Sequence, residues 1–228
     1  MSGAAPAPGR APEPGPPGPG VPLLIACALG IEKLALRGGA RGRARSPGAV
    51  TVLRTGMGPS SAERAVREAL AAGALRHAAV IASGFCAGLA PGMRPGDVVI
   101  AAETRHGTGS TPCTGSEVLA AAVSRSLPGH RVHIGPLTGS DHVVRGPERG
   151  RLHAAGAIGA DMESAVTLAA ALRSGPRPVA AVRVVVDAPA HELVRIGTVR
   201  GGISAFRVLR AVLPAFHEWH RSLLLPRR

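Results

Sequence analysis

Gly159-Ala160-Asp161-Met162-Glu163-Ser164-Ala165-Val166 joins a glycine-bearing turn to two acids that are separated by a methionine. The run of small and apolar residues that follows, 165–172, predicts a closely packed helix with Glu163 near its start. A carboxylate held there can accept hydrogen bonds from two adjacent hydroxyls, such as those of a ribose. The alternative is that both acids only stabilise a helix N-terminus, where negative side chains are favoured.

The composition is that of a globular protein with an aliphatic core. Hydrophobic residues make up 45% of the 228 residues, whereas aromatic residues make up only 2% and tyrosine is absent. Alanine-rich helices packed on a valine-rich sheet would satisfy these proportions. The length is sufficient for one substantial domain.

The chain is strongly basic, with a formal net charge of +13 from 27 basic and 14 acidic residues. Such a balance can favour nucleic acid or an anionic membrane surface, so a basic binding protein with one contiguous arginine face is the non-enzymatic alternative. Stacking aromatic residues between the basic ones are missing, which argues against single-stranded nucleic acid as a partner.

The three cysteines, Cys27, Cys86 and Cys113, show no CxxC spacing. This pattern predicts neither a disulfide framework nor a zinc site, and it is typical of a cytoplasmic protein. The apolar run 21–31 is too short to span a bilayer, and a charged pair follows it directly. It is therefore interpreted as a buried strand.

The chain is expected to divide into a disordered Pro/Gly/Ala-rich tail, residues 1–20, and one domain, residues 21–228. The tail contains seven of the 21 prolines and cannot form a core. Strands and helices alternate in the domain, which predicts an α/β fold. The predicted strands are 21–29, 50–54, 78–83, 98–102, 132–137 and 179–186. Residues 84–92 follow the third strand, and their small side chains would let the backbone approach a ligand. Residues 103–116 are predicted to be a mobile loop.

Two further acids lie where open α/β sheets place ligands. Glu32 follows the first strand and Asp187 ends the last one. Burial would raise the pKa of Asp187 and let it act as a proton donor. The alternatives are that Glu32 caps a helix and that Asp187 caps the turn before Pro189.

The C-terminal part reads as a long amphipathic helix from Gly201, with a kink at Pro214. Its apolar stripe is expected to pack on the sheet. In the alternative, the end of the helix, including Arg227 and Arg228, contacts lipid.

Three stretches together resemble the nucleoside phosphorylase and nucleosidase superfamily. They are residues 159–165, Arg183-Val184-Val185-Val186-Asp187, and 83–91 with Gly96-Asp97 after it. Their order and spacing match over nearly all of residues 21–220. The resemblance implies a single-domain phosphorylase-like fold with a central mixed β-sheet flanked by helices. It also implies cleavage of a purine nucleoside without a metal or an organic cofactor.

The resemblance implies a role for each candidate site residue. Asp187 would protonate the purine, and Glu32 would orient or deprotonate water. Glu163 would hold the ribose hydroxyls, with Met162 packed under the sugar. The rest of the pocket would be lined by Phe85, Cys86, His142 and Val143.

Two departures from the phosphorylase pattern favour water over phosphate as the co-substrate. Ala82 stands where phosphorylases typically carry an arginine, and Phe85 stands where they tend to carry Ser or Thr. Both replacements remove phosphate contacts. Arg54 or another loop arginine could still supply an anion site.

Residues 26–32, residues 136–142 and the terminal helix give the chain, within the superfamily, its resemblance to the hopanoid-associated phosphorylase or nucleosidase. The similarity implies adenosylhopane as substrate, in hopanoid biosynthesis, with a methylthioadenosine/S-adenosylhomocysteine nucleosidase as the alternative. It further implies a homodimer or higher oligomer, no nucleic-acid partner, and a cytoplasmic protein that meets the membrane peripherally through its C-terminal helix.

Overall fold

The computed structural model of the chain describes residues 20–38, 48–189 and 198–224. Strands and helices alternate through these ranges. The strands are β1 (Leu23–Cys27), β2 (Val50–Arg54), β3 (Ala79–Gly88), β4 (Val98–His106), β5 (Gly109–Pro112), β6 (Val132–Gly139), β7 (Gly159–Asp161) and β8 (Val179–Asp187). The helices are α1 (Gly30–Gly38), α2 (Pro59–Ala71), α3 (Ser116–Ser126), α4 (Pro147–Ala154), α5 (Ser164–Arg173), α6 (Thr198–Ala211) and α7 (Leu213–Ser222).

The strands form one mixed sheet that closes on itself. Strand β1 lies between β2 and β3, and all three are parallel. Strand β3 pairs with β8 in parallel and with β7 in antiparallel orientation. Strand β4 joins β8 to β6, and β6 returns to β7, which completes a circuit. The predicted α/β fold, with a central mixed sheet and flanking helices, is confirmed.

The sheet is buried on both faces, which explains why its central strands read as continuous apolar runs. Alternate residues of β1 point to opposite sides, because successive side chains of a strand do so. Leu23 and Ile25 join a core cluster that contains residues of α1, α3, α6 and α7. Leu24 and Ala26 join a second cluster, formed with residues of α2 and α5.

Two segments form more β-strand than their composition predicts. Strand β3 does not end at Ser83 but continues to Gly88. Its backbone is hydrogen-bonded there because β8 pairs along it and β7 pairs with its last two residues. The predicted mobile loop 103–116 instead forms the end of β4 and the antiparallel strand β5. Backbone pairing supplied by distant strands overrides the small and polar composition.

The C-terminal helix is broken, as Pro214 predicts, into α6 and α7. The apolar stripe packs against the domain, since Leu209, Phe216 and Trp219 are fully buried. Its burial confirms the prediction that this stripe faces the core. Within the described ranges, no helix is long and apolar enough to cross a membrane. The predicted tail, apart from Gly20, and Arg227-Arg228 lie outside the described residues.

Candidate active site

A cavity of about 230 Å³ opens where β1 and β3 end, beside β7 and the start of α5. Such edges are where α/β sheets place ligands. Seven of the eight residues predicted for the site line this cavity: Glu32, Phe85, Cys86, His142, Val143, Met162 and Glu163. The eighth, Asp187, is not part of its wall. The structure thus gathers side chains from β1–α1, β3, the segment after β6, and β7–α5.

Glu32 is buried and is fixed by three backbone N–H groups. Its Oε2 accepts hydrogen bonds from the N–H groups of Ala28 (2.9 Å) and Leu29 (2.8 Å). Its Oε1 accepts one from the N–H of Phe85 (2.9 Å). A carboxylate offers about four acceptor positions. The described residues therefore leave one position on Oε1 for a ligand or a water molecule.

The glycine at position 84 allows this arrangement. Gly84 has a φ of +149°, and a Cβ atom built on it would lie 2.4 Å from Glu32 Oε1 and 2.5 Å from Arg183 Nη1. Real Cβ atoms do not approach other atoms so closely. A side chain at position 84 would therefore displace the carboxylate or the guanidinium.

Glu163 stands at the start of α5, with only 8% of its surface exposed. Its Oε1 accepts a hydrogen bond from the N–H of Gly58 (2.9 Å), in the turn between β2 and α2. Oε2 accepts none from the described residues. Burial raises the pKa of this carboxyl above its ordinary value, and the nearby charges of Asp161 and Glu32 add to the rise. Arg183 and the Gly58 N–H act in the opposite direction.

Asp161 belongs to the cavity lining and is the partner of a buried arginine. Its Oδ2 accepts a hydrogen bond from the Ser164 N–H (3.0 Å) at the first turn of α5 and lies 2.6 Å from Arg183 Nη2. Arg183 Nε also donates to the Ser164 hydroxyl (2.8 Å). The helix-stabilising role that the sequence allowed for Asp161 is confirmed.

Arg183 was not predicted to be a site residue. Burial acts to lower the pKa of its guanidinium, but the surrounding carboxylates of Asp161, Glu163 and Glu32 outweigh this effect and raise the pKa. Its Nη1 is buried and donates to no described residue. The available signal was a charged residue in the middle of the otherwise apolar stretch 179–186.

His142 lies at the exposed side of the cavity between two carboxylates. Nδ1 is 2.6 Å from Asp141 Oδ1, and Nε2 is 2.9 Å from Glu148 Oε2. Hydrogen bonds to Asp141 and then to Glu148 raise the pKa of the His142 imidazole. Ionised carboxylates only accept hydrogen bonds, so each ring nitrogen bonds its carboxylate as a donor when the imidazole is protonated. Only the ring face is left for a ligand.

The rest of the wall is apolar. Cys86 is buried in β3, and burial raises the pKa of its thiol, which therefore remains protonated. Met57, in the turn before α2, was not predicted; it lines the cavity although 67% of its surface is exposed. Val143 is 55% exposed. The cavity mouth thus carries uncovered apolar side chains.

Asp187 departs from its expected place in the cavity. It is buried at the end of β8, and its Oδ2 forms an ion pair with Nη2 of Arg149, a buried residue of α4. Its neighbour Val186 and its cross-strand partner Ala87 line the cavity instead. The carboxylate therefore adjoins two wall residues without lining the cavity itself, and it is paired with an arginine that sequence spacing could not identify.

Comparison with known proteins gives one family match. The sequence profile of the phosphorylase superfamily matches residues 40–214. No curated protein sequence matches the chain.

Solved structures share this fold at low sequence identity. The methylthioadenosine/S-adenosylhomocysteine nucleosidase from S. pneumoniae, solved with the transition-state inhibitor MT-ImmA, is 21% identical with a TM-score of 0.68; the match covers 87% of this chain and 99% of that chain. The corresponding nucleosidase from Neisseria meningitidis is 19% identical with a TM-score of 0.70, over 88% and 99%. Futalosine hydrolase of Helicobacter pylori is 14% identical with a TM-score of 0.71, over 86% and 96%.

Proposed function

The chain belongs to the phosphorylase superfamily, and we propose that it is a nucleosidase that releases adenine from a 5′-substituted adenine nucleoside. One observation carries the proposal. Glu32 and Glu163 are far apart in the sequence and line one cavity, and each keeps an oxygen whose acceptor capacity the described residues do not fill. A basic surface-binding protein has no need for such an arrangement.

The two carboxylates match the charges that the reaction develops. When the bond between the ribose carbon and the purine nitrogen breaks, its electrons move to the purine, and the sugar becomes positively charged. Glu163 Oε2 is available to accept hydrogen bonds from the ribose hydroxyls, and its negative charge stabilises the cationic sugar. Water held at Glu32 Oε1 adds its oxygen to the sugar carbon and gives its proton to the carboxylate. The departing purine takes up one proton, so that the parts of one water molecule end on the sugar and on adenine.

The bonds to Glu32 favour water over phosphate as the co-substrate. Backbone N–H groups at a strand–helix turn are the donors that commonly hold a phosphate. Here the N–H groups of Ala28, Leu29 and Phe85 all donate to the Glu32 carboxylate. A phosphate at this point would lose those donors and would meet a negative charge. We therefore propose hydrolysis.

Methylthioadenosine or S-adenosylhomocysteine is the substrate that the comparisons support best, because the nucleosidases of similar fold are named for them. Adenosylhopane is the second candidate. It is supported by the exposed apolar side chains at the cavity mouth, Met57 and Val143, and by Ile31 and Leu34 exposed on the adjoining helix α1. A long apolar 5′ substituent would cover such a surface.

The predicted partners beyond the substrate remain proposals. A second copy of the chain, in a homodimer or higher oligomer, could cover the same apolar residues. Peripheral contact with a membrane would have to use the end of the C-terminal helix, because the apolar stripe of α6 and α7 is already buried. A cytoplasmic location is the expectation from the cysteine pattern.

Product analysis tests this function. Purified protein is incubated with methylthioadenosine, S-adenosylhomocysteine and adenosylhopane, each with and without phosphate, and the products are identified by mass spectrometry. We expect adenine and the free ribosyl product, in equal amounts with and without phosphate. A ribose phosphate product would replace hydrolysis by phosphorolysis. The absence of adenine from all three reactions would remove the nucleosidase assignment.

A further inference from the structure

Arg149 is a buried arginine outside the cavity wall that contacts the predicted acid. Only 3% of its surface is exposed. Its Nη2 forms an ion pair with Asp187 Oδ2, and its Nη1 donates to the carbonyl of Gly88 (3.4 Å) at the end of β3. The guanidinium therefore joins the ends of the two strands, β3 and β8, that line the cavity with Ala87 and Val186.

The two oxygens of Asp187 have different surroundings. Oδ2 is held by Arg149, whereas Oδ1 is buried and accepts no hydrogen bond from any residue in the described ranges. Buried carboxylate oxygens nearly always have a hydrogen-bond partner. The donor that Oδ1 lacks is therefore one that these residues do not supply, and a purine with its amino and ring N–H groups offers such donors.

The position of Arg149 is itself tied to the cavity. The preceding residue, Glu148, binds His142 Nε2 at 2.9 Å, and His142 is part of the cavity wall. The Arg149 backbone N–H donates to the Gly146 carbonyl (3.2 Å) at the start of α4. One helical turn thus contacts both the wall and the acid that adjoins it.

We propose that Arg149 is a positioning residue: it fixes Asp187 through Oδ2, so that Oδ1 is the oxygen presented to the leaving purine. Arginine suits this task, because its planar guanidinium stays charged and directs several donors at once. The inference rests on the proposed nucleosidase function, and it adds a residue that does not touch the substrate.

The test compares Arg149→Met, Arg149→Lys and Asp187→Asn, alone and combined, by steady-state adenine release. Arg149→Met should lower kcat by roughly tenfold or more, with KM within about threefold of wild type, because only the orientation of the acid is lost. Arg149→Lys should recover part of the loss. In the Asp187→Asn background, Arg149→Met should lower kcat by less than a further factor of about two, since both residues act through one interaction. Arg173→Met, which removes a surface partner of Glu63, is the matched control.

Thermal unfolding of each variant separates a loss of positioning from a loss of folding. If Arg149→Met is unstable, the double variant Arg149→Met/Asp187→Asn, which removes both charges, serves as the folded reference. Wild-type kcat in Arg149→Lys and Arg149→Met, or fully additive losses with Asp187→Asn, would overturn the inference while leaving the nucleosidase function intact. If wild-type protein releases no adenine, adenine binding by calorimetry decides: roughly tenfold weaker binding in Arg149→Met supports the positioning role. Unchanged binding, or no binding by the wild type, refutes it.

Discussion

Nη2 of Arg183 lies 2.6 Å from Oδ2 of Asp161, and both side chains are buried. The pair joins the middle of β8 to the end of β7. Because Arg183 Nε also holds Ser164, the pair sets where α5 begins and therefore where Glu163 stands. The carboxylates that face the substrate thus depend on a cation that does not line the cavity.

Replacing Arg183 by methionine should destabilise the protein strongly, because it leaves the Asp161 carboxylate buried without its charge partner. The expected loss in the free energy of unfolding is about 3–5 kcal/mol, measured by chemical denaturation. Arg173→Met is the control, because the Arg173–Glu63 pair is exposed and should contribute at most about 1 kcal/mol. Equal effects of the two replacements would contradict the structural role given to Arg183.

The raised pKa of Glu163 should appear in the pH dependence of catalysis. Glu163 must be ionised to stabilise a cationic sugar, so kcat/KM should rise with pH through an apparent pKa above the ordinary 4.5. The folded protein also holds this proton more tightly than the unfolded chain. The contribution of Glu163 to stability is therefore full below pH 4.5 and is lost as pH rises through the raised pKa.

The matched variant is Glu163→Gln. Its kcat/KM should be low, and its pH profile should lack the rise on the acidic side. An acidic limb at or below pH 4.5 in the wild type, or one that persists in Glu163→Gln, would assign the limb to another group.

His142 should contact the base through its ring face only. His142→Phe should keep KM within about threefold of wild type, whereas His142→Ala should raise it by roughly tenfold. By NMR titration, the pKa of His142 should lie above 6.5, and Glu148→Gln should move it down towards that value. Equal damage from the Phe and Ala replacements would mean that the ring nitrogens, rather than the face, serve the ligand.

Six strands of the sheet, all but β5 and β7 of those described, could be predicted because their apolar runs are local. Strand β2 was predicted with its observed bounds, and the buried runs of β1 and β8 were recognised. The extension of β3 through Gly84 and the hairpin formed by β4 and β5 could not be predicted, because they depend on pairing with strands that are distant in sequence.

Part of the candidate site could likewise be predicted from the sequence, and part of it could not. Glu32 and Glu163 lie near glycines that are visible in the sequence, although the expected turn at Gly159 is strand β7. The pairs Arg183–Asp161 and Arg149–Asp187 are made by side chains whose partners lie far away along the chain. Nothing in the local sequence of α4 indicates that Arg149 is buried, and this is why Asp187 was expected to line the cavity rather than to pair with an arginine beside it.

Phosphate-free adenine release by Glu32→Gln, compared with the wild type and with Glu68→Gln on the exposed face of α2, tests the central claim most directly. With methylthioadenosine as substrate, we expect steady release by the wild type and by Glu68→Gln. In Glu32→Gln the amide cannot take the proton of water, so kcat should fall by roughly 10²–10⁴-fold. Full activity in Glu32→Gln, or release by the wild type only when phosphate is added, would contradict a hydrolase built on Glu32.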